Sequence, residues 1–145
     1  MNRTILLVED SPDDVFFLQR AFKRAEVKNA LQVVKDGQQA LGYLAGVGEY
    51  ADREKFPLPC LVLLDLKLPY VPGLDVLKWI RSRTELQTLP VIIFTSSSER
   101  SDVDRAYRLG ANSYLVKPSD AEQLVGLAKS FADYWLKFNL LPPIA

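Results

Sequence analysis

Apolar positions along the chain fall into two alternating patterns. Thr4 to Val8 (TILLV), Cys60 to Leu64 (CLVLL) and Pro90 to Thr95 (PVIIFT) are short continuous runs of aliphatic and β-branched residues. Runs of this kind predict strands buried on both faces. Ala30 to Val34 (ALQVV) and Asn112 to Val116 (NSYLV) are weaker runs of strand length, bounded by turn or helix signals, and predict two more strands. Between the strands the spacing lengthens to a helical period. Val15, Leu18, Phe22 and Ala25 predict a first helix, opened by Ser11 as N-cap, Pro12 at the first helical position and Asp13-Asp14 in the first turn. Ala40, Leu41 and Leu44 mark a second helix. Leu74, Leu77, Trp79 and Ile80 mark a third after Pro72-Gly73, and Val103, Ala106, Tyr107 and Leu109 a fourth, stopped by Gly110. A fifth is predicted from Asp120 to Phe138, with Ser119 as N-cap, Glu122 completing a capping box, and Leu124, Leu127, Ala128, Phe131 and Trp135 on its apolar face.

Strict alternation of strand and helix implies a parallel sheet with right-handed crossovers and helices on both faces. For five strands this predicts an α/β, flavodoxin-like, doubly wound fold of strand order 2-1-3-4-5, with its ligand crevice at the carboxyl ends of strands 1 and 3. The 145 residues amount to one domain. Residues 1–138 are expected to form it, with 139–145 as a C-terminal tail and no room for a fused DNA-binding or enzymatic output domain. Gly46 to Pro59 (GVGEYADREKFPLP) is longer than most connections and reads as a surface insertion or a partner-contacting element.

Composition narrows the chemistry. Lys+Arg and Asp+Glu are 18 each, so no net field draws the chain to nucleic acid or to an anionic membrane. Histidine is absent, which excludes imidazole bases, Ser-His and Cys-His pairs and the usual zinc sites. The single Cys60 has no intramolecular disulfide partner and, beside an apolar run, reads as a buried inert thiol. The apolar stretch near the N-terminus is too short for a signal peptide, and nothing approaches a membrane span. A cytoplasmic protein is expected.

The residues that end the strands on the crevice side carry the candidate chemistry. Strand 1 ends in Glu9-Asp10, strand 3 in Asp65, strand 4 in Thr95, and strand 5 in Lys117-Pro118. Ser11 and Asp14 suffice to cap the first helix, which leaves Glu9 and Asp10 without a capping task. Three acids brought together repel unless a cation offsets them, and a hard divalent ion prefers oxygen ligands. Mg²⁺ suits the set, and next to Lys117 and Thr95 it points to phosphoryl chemistry. Asp65 could then act as an attacking carboxylate that forms an aspartyl-phosphate, with Lys117 and Thr95 holding phosphoryl oxygens.

ILLVEDS, LVLLDLKLP, VIIFTSS and NSYLVKP together resemble, in type and spacing, the four characteristic stretches of response-regulator receiver domains of two-component signalling, over Arg3 to Trp135. The resemblance implies a protein that is not an enzyme but a phosphoacceptor, taking a phosphoryl group from a sensor histidine kinase on Asp65 and switching a protein-interaction face. It implies Mg²⁺ held by Asp10, Asp65 and the backbone carbonyl of Lys67, with Glu9 reaching the metal through water. It also implies Thr95 and Tyr114 as a switch pair, Lys117 as the active-site lysine and a cis Lys117-Pro118 bond. Pro72 departs from the family pattern, which often has Asp before the glycine that opens helix 3; local helix capping is affected, not the phosphorylation residues. The long loop and the tail from Tyr134 to Pro143 resemble a narrower group of stand-alone receivers, some of which serve phytochrome-type histidine kinases.

Other classes fit less well. A dinucleotide-binding domain wants glycines after strand 1, where EDSPDD would repel a pyrophosphate. An aspartyl-nucleophile phosphatase needs a DxD pair leaving strand 1, and a Toprim domain one leaving strand 3; both are missing. The remaining alternative is a receiver-shaped interaction scaffold that is never phosphorylated. For a receiver, the expected partners are the kinase and a downstream protein, with neither nucleic acid nor membrane. Tyr134, Trp135, Phe138, Leu140 and Leu141 would overhang the sheet on the long fifth helix; unless the tail folds back on its own domain, this predicts a homodimer through that helix and the tail.

Overall fold

All ten predicted elements form in the computed structural model, which describes residues 3–144; Met1, Asn2 and Ala145, at the ends of the expected domain and tail, lie outside the described residues. The order is β1 (Ile5–Val8), α1 (Pro12–Arg24), β2 (Leu31–Val34), α2 (Gly37–Ala45), β3 (Leu61–Leu64), α3 (Gly73–Ser82), β4 (Val91–Thr95), α4 (Arg100–Arg108), β5 (Ser113–Val116) and α5 (Ala121–Phe131). Each strand starts one residue later than its apolar run. Short 3₁₀ turns at Gly48–Tyr50 and Thr84–Leu86 punctuate the loops.

The five strands are parallel, in the order β2-β1-β3-β4-β5. Because side chains alternate across a sheet, each continuous run feeds two cores. Leu6, Val8, Val62, Leu64, Val91 and Ile93 face α2 and α3, with Ala106 of α4 at the margin. Ile5, Leu7, Leu61, Leu63, Ile92 and Phe94 face α1 and α5. Only Ala106 of α4 is buried, so that helix is the most lightly anchored of the five.

The helix caps differ in part from the sequence expectation. Ser11 does cap α1, its hydroxyl accepting from the Asp14 N–H at 3.3 Å, but the Asp14 carboxylate turns elsewhere. Asp120, not Ser119, caps α5, accepting from the Glu122 N–H at 2.8 Å. Glu122 pairs instead with Arg24 of α1 at 3.0 Å, so no capping box closes. As the Pro72 departure implied, α3 begins without a side-chain cap. The Lys117-Pro118 bond is trans, since no cis peptide occurs among the described residues. Trans is the lower-energy isomer, and from it Lys117 already reaches the acids of the crevice.

Two further expectations change. The α-helical part of α5 stops at Phe131, and Ala132–Phe138 widen into a π-helical segment closed by the Asn139 N–H donating to the Tyr134 carbonyl five residues back at 2.6 Å. Wider turns delay the rotation of the side chains that follow, so the tail does not overhang as one straight helix. Trp135, Leu136 and Leu141 pack against the α1/α5 core, and Ile144 reaches the opposite one. Arg3 donates to the Leu136 carbonyl at 3.2 Å. Tyr134, Phe138 and Leu140 remain outward, 56%, 74% and 93% exposed. The long loop is fastened too: Arg53 donates to the carbonyls of Tyr43, Leu44 and Phe56, and Tyr43, Tyr50 and Phe56 form an aromatic trio. No described helix is long and apolar enough to cross a membrane.

Gly73 is where fold and crevice meet most tightly. Its N–H donates to the Leu66 carbonyl at 2.9 Å, and a Cβ there would lie 2.1 Å from the Asp65 carbonyl oxygen. Gly73→Ala must therefore push the loop after β3 away from α3, and overpacking of this kind costs about 1–3 kcal/mol. Urea unfolding should show that loss with an unchanged slope, and the amide resonances of Asp65 and Leu66 should shift.

Candidate functional site

Parallel strands end on the same side, so β1, β3, β4 and β5 deliver their C-terminal residues to one crevice. Hydrogen bonds continue the ladder just past the strands: the Glu9 N–H donates to Val34 O at 3.0 Å, the Asp65 N–H to Val8 O at 3.1 Å and the Lys117 N–H to Thr95 O at 2.7 Å. These bonds fix the backbone under each functional side chain. Glu9, Asp65 and Thr95 are buried polar residues at 2%, 7% and 0% exposure, while Asp10 stands at the exposed rim.

Lys117 lies at the centre of the charge. Its Nζ donates to Glu9 Oε1 at 2.5 Å, Asp14 Oδ2 at 2.8 Å and Asp65 Oδ2 at 3.0 Å, and lies 5.7 Å from the centre of the Phe94 ring. The other oxygen of Asp65 accepts from the Leu66 N–H at 2.7 Å, and the second oxygen of Glu9 from the Ser11 N–H at 3.2 Å. Asp65 is thus oriented, one oxygen toward backbone and one toward the lysine. Hydrogen bonds to three carboxylates raise the Lys117 pKa against the opposing effect of burial, which is individually the largest contribution. The ammonium stays charged.

Glu9, Asp10 and Asp65 each offer a carboxylate oxygen, and these lie within 4.8 Å of one another. At 4 Å two like charges repel by about 4 kcal/mol in an effective dielectric of 20, and one ammonium cannot offset the whole set. Burial accordingly pushes the Glu9 carboxyl from 4.5 up to about 7, assisted by the Asp65 charge and opposed by the hydrogen bond from Lys117. All-oxygen, anionic, rim-accessible donors suit a hard divalent cation.

Thr95 and Tyr114 belong to paired strands, and both bond to Ser97 of the β4–α4 loop. Thr95 Oγ1 accepts from the Ser97 N–H at a long 3.5 Å, and the half-buried Tyr114 donates its hydroxyl to the Ser97 carbonyl at 2.9 Å. Lys67 is exposed in the turn after Asp65. The crevice therefore gathers Glu9, Asp10, Asp65, Thr95 and Lys117, with Tyr114 linked through the loop. Asp14 joins it without having been singled out from sequence, while Ser97 belongs to the loop that links Thr95 to Tyr114 and bonds none of the acids or Lys117. Asp14 had read as helix capping, and only the adjacency of α1 to β5's end reveals its contact with Lys117.

A family model described as "Response regulator receiver domain" matches residues 5–129. The chain belongs to the response-regulator receiver family. Among curated relatives, it is 39% identical over 138 residues to the probable methanogenesis regulatory protein FilR2 of Methanothrix harundinacea, covering 95% of this chain and 86% of that one. It is 36% identical over 140 residues to response regulator Rcp1 of Synechocystis, covering 97% and 93%. Among solved structures, it superposes on response regulator RPA3017, from red light signaling of R. palustris, with a TM-score of 0.93 at 35% identity, covering 97% and 99%. The phosphorylated cyanobacterial phytochrome response regulator RcpA gives 0.90 at 34%, covering 99% and 100%. The Mn²⁺-bound form of Rcp1 gives 0.87 at 35%, covering 97% and 99%. Receiver domains are signalling domains, generally non-enzymatic, and they bind a divalent metal.

Metal binding here should depend on pH through Glu9. Its folded pKa of about 7 lies above the ordinary 4.5, so without metal its contribution to stability is complete below about 4.5 and is lost as pH rises through 7. A divalent cation favours the ionised form and reverses that trend. Saturating Mg²⁺ or Mn²⁺, at a hundred times Kd, should add about 2.7 kcal/mol, or about 5–10 °C in Tm. Thermal scans should show the increment shrinking from pH 8 to pH 5.5 in wild type, and shrinking less in Glu9→Gln.

Proposed function

We propose that this receiver accepts a phosphoryl group on Asp65 from a sensor histidine kinase, with Mg²⁺ as the divalent ion, and thereby switches a protein-interaction face. The observation that carries this reading is the placement of Asp65: buried, fixed by the Leu66 N–H on one oxygen, and 3.0 Å from a charged lysine on the other. In the transfer, an Asp65 oxygen forms a bond to phosphorus while the bond from phosphorus to the donor's imidazole nitrogen breaks, and the electron pair leaves with that nitrogen. Lys117 meets the charge on one phosphoryl oxygen, and the Thr95 hydroxyl donates to another. Glu9, Asp10, Asp65 and the Lys67 carbonyl would hold Mg²⁺, with Glu9 reaching it through water; its charge would offset that of the phosphoryl oxygens. The chain's own residues supply the chemistry and the kinase supplies phosphate.

Once phosphate is in place, Thr95 is drawn toward Asp65 and Tyr114 changes rotamer in concert. The two bias a pre-existing equilibrium of the face made by α4, β5 and α5. The likeness to phytochrome response regulators supports a phytochrome-type kinase as donor and a downstream protein as target. Residues 1–138 form the switching unit. The 139–145 tail, with the outward Tyr134, Phe138 and Leu140, supports a two-fold homodimer through α5 and the tail.

Incubation with acetyl phosphate and Mg²⁺ should add one phosphoryl group by mass spectrometry, abolished by Asp65→Asn and by chelation. Equal labelling of Asp65→Asn would remove Asp65 as acceptor; no labelling by acetyl phosphate or by any histidine kinase of the same genome would favour the unphosphorylated scaffold. For assembly, Phe138→Glu with Leu140→Glu is a cleaner probe than truncation, which would strip Trp135 and Leu141 from the core. Sedimentation at tens of micromolar should show wild type as a dimer and the double variant as a monomer; monomers in both, with and without phosphorylation, would end the dimer proposal.

A further inference from the structure

Ser97 makes more connections than any other residue of the loop between β4 and α4. Its N–H donates to Thr95 Oγ1 at 3.5 Å and its carbonyl accepts the Tyr114 hydroxyl at 2.9 Å. Its own hydroxyl donates to Asp102 Oδ2 at 2.6 Å while accepting from the Glu99 N–H at 3.3 Å. Glu99 occupies the N-cap position of α4 without supplying a side-chain cap, and Asp102 lies in that helix's first turn. The hydroxyl of Ser97 therefore fastens the loop to the start of α4, in place of the missing cap.

We propose that Ser97 is a positioning residue that conveys the state of the phosphorylation site to α4, through the bond between its hydroxyl and the Asp102 carboxylate. The proposal rests on the reading of Thr95 and Tyr114 as the moving pair. When the Thr95 hydroxyl turns to a phosphoryl oxygen, the long bond it accepts from Ser97 is the weakest of the four and is the first to yield. Tyr114 holds the same residue by its carbonyl, so the two members of the pair act on the two peptide groups that flank one Cα. A hydrogen bond to an ionised acceptor is short and about twice as strong as a neutral one. The Ser97–Asp102 bond is thus the stiffer of the two links from that residue to the start of the helix. The helix it pulls has one buried residue, Ala106, and little packing opposes a shift.

The test uses beryllofluoride with Mg²⁺ as the phosphoryl stand-in and follows backbone amide shifts of residues 100–104 in the full chain. Wild type should respond, Ser97→Ala should lose at least half of the response, and Ser97→Thr, which keeps the hydroxyl, should restore it. Asp102→Asn should reproduce Ser97→Ala, and the double variant should lose no more than either. Labelling of Asp65 by acetyl phosphate should stay within twofold of wild type in all of them, since none touches Asp65, Lys117 or the acids. A Ser97→Ala response equal to wild type overturns the assignment and leaves the switch standing. No response in wild type overturns the switching reading and this assignment with it.

Discussion

Charge balance around Lys117 is the constraint on which the crevice depends. Four carboxylates, those of Glu9, Asp10, Asp14 and Asp65, gather near one ammonium that is hydrogen-bonded to three of them. In water such a group would disperse. Here β1, β3 and β5 end together and leave the side chains no choice, and burial, with the Asp65 charge adding to it, raises the affinity of Glu9 for a proton. A divalent cation and a phosphoryl group alter this balance in opposite directions, one adding positive charge and the other negative. On the proposed function, the crevice would respond to both.

Rigidity is distributed to suit this. The Asp65 loop is pressed against Gly73, with no space for even a methyl group, and the strands beneath are buried on both faces. By contrast, α4 buries only Ala106 fully, with Asp102 and Val103 half-buried, and begins without its own cap. The acids are thus held by the most closely packed part of the molecule, and the face proposed to move is the least packed. A switch of this kind needs that asymmetry, because a packed core has few alternative arrangements while a loosely seated helix has several.

The α5 end shows how a modest backbone change redirects a surface. A continuous α-helix to Phe138 would have carried its aromatic residues past the sheet. The π-helical segment turns Trp135 and Leu136 inward, where Arg3 and the α1/α5 core receive them, and leaves Tyr134 and Phe138 outside. The apolar surface available to a partner is smaller than the sequence suggests, and it is seated on a fixed base.

The order of elements, the parallel sheet and the convergence of Glu9, Asp10, Asp65, Thr95 and Lys117 were all legible in the sequence. Each follows from short-range patterns: doubly buried strands read as continuous apolar runs, helices as a longer period, and strand ends as the residues that break the run. Tertiary structure decided what depends on distances between elements far apart in the chain. Whether Asp14 caps its own helix or reaches Lys117 turns on how α1 sits beside the end of β5. Whether Glu122 closes a capping box or pairs with Arg24 turns on the contact between α1 and α5. The role of Ser97 as a junction turns on a tyrosine seventeen positions away and a carboxylate five positions on, in the first turn of α4. A local pattern specifies which face a residue presents, but a polar side chain chooses its partner by proximity, and proximity is set only when the elements pack.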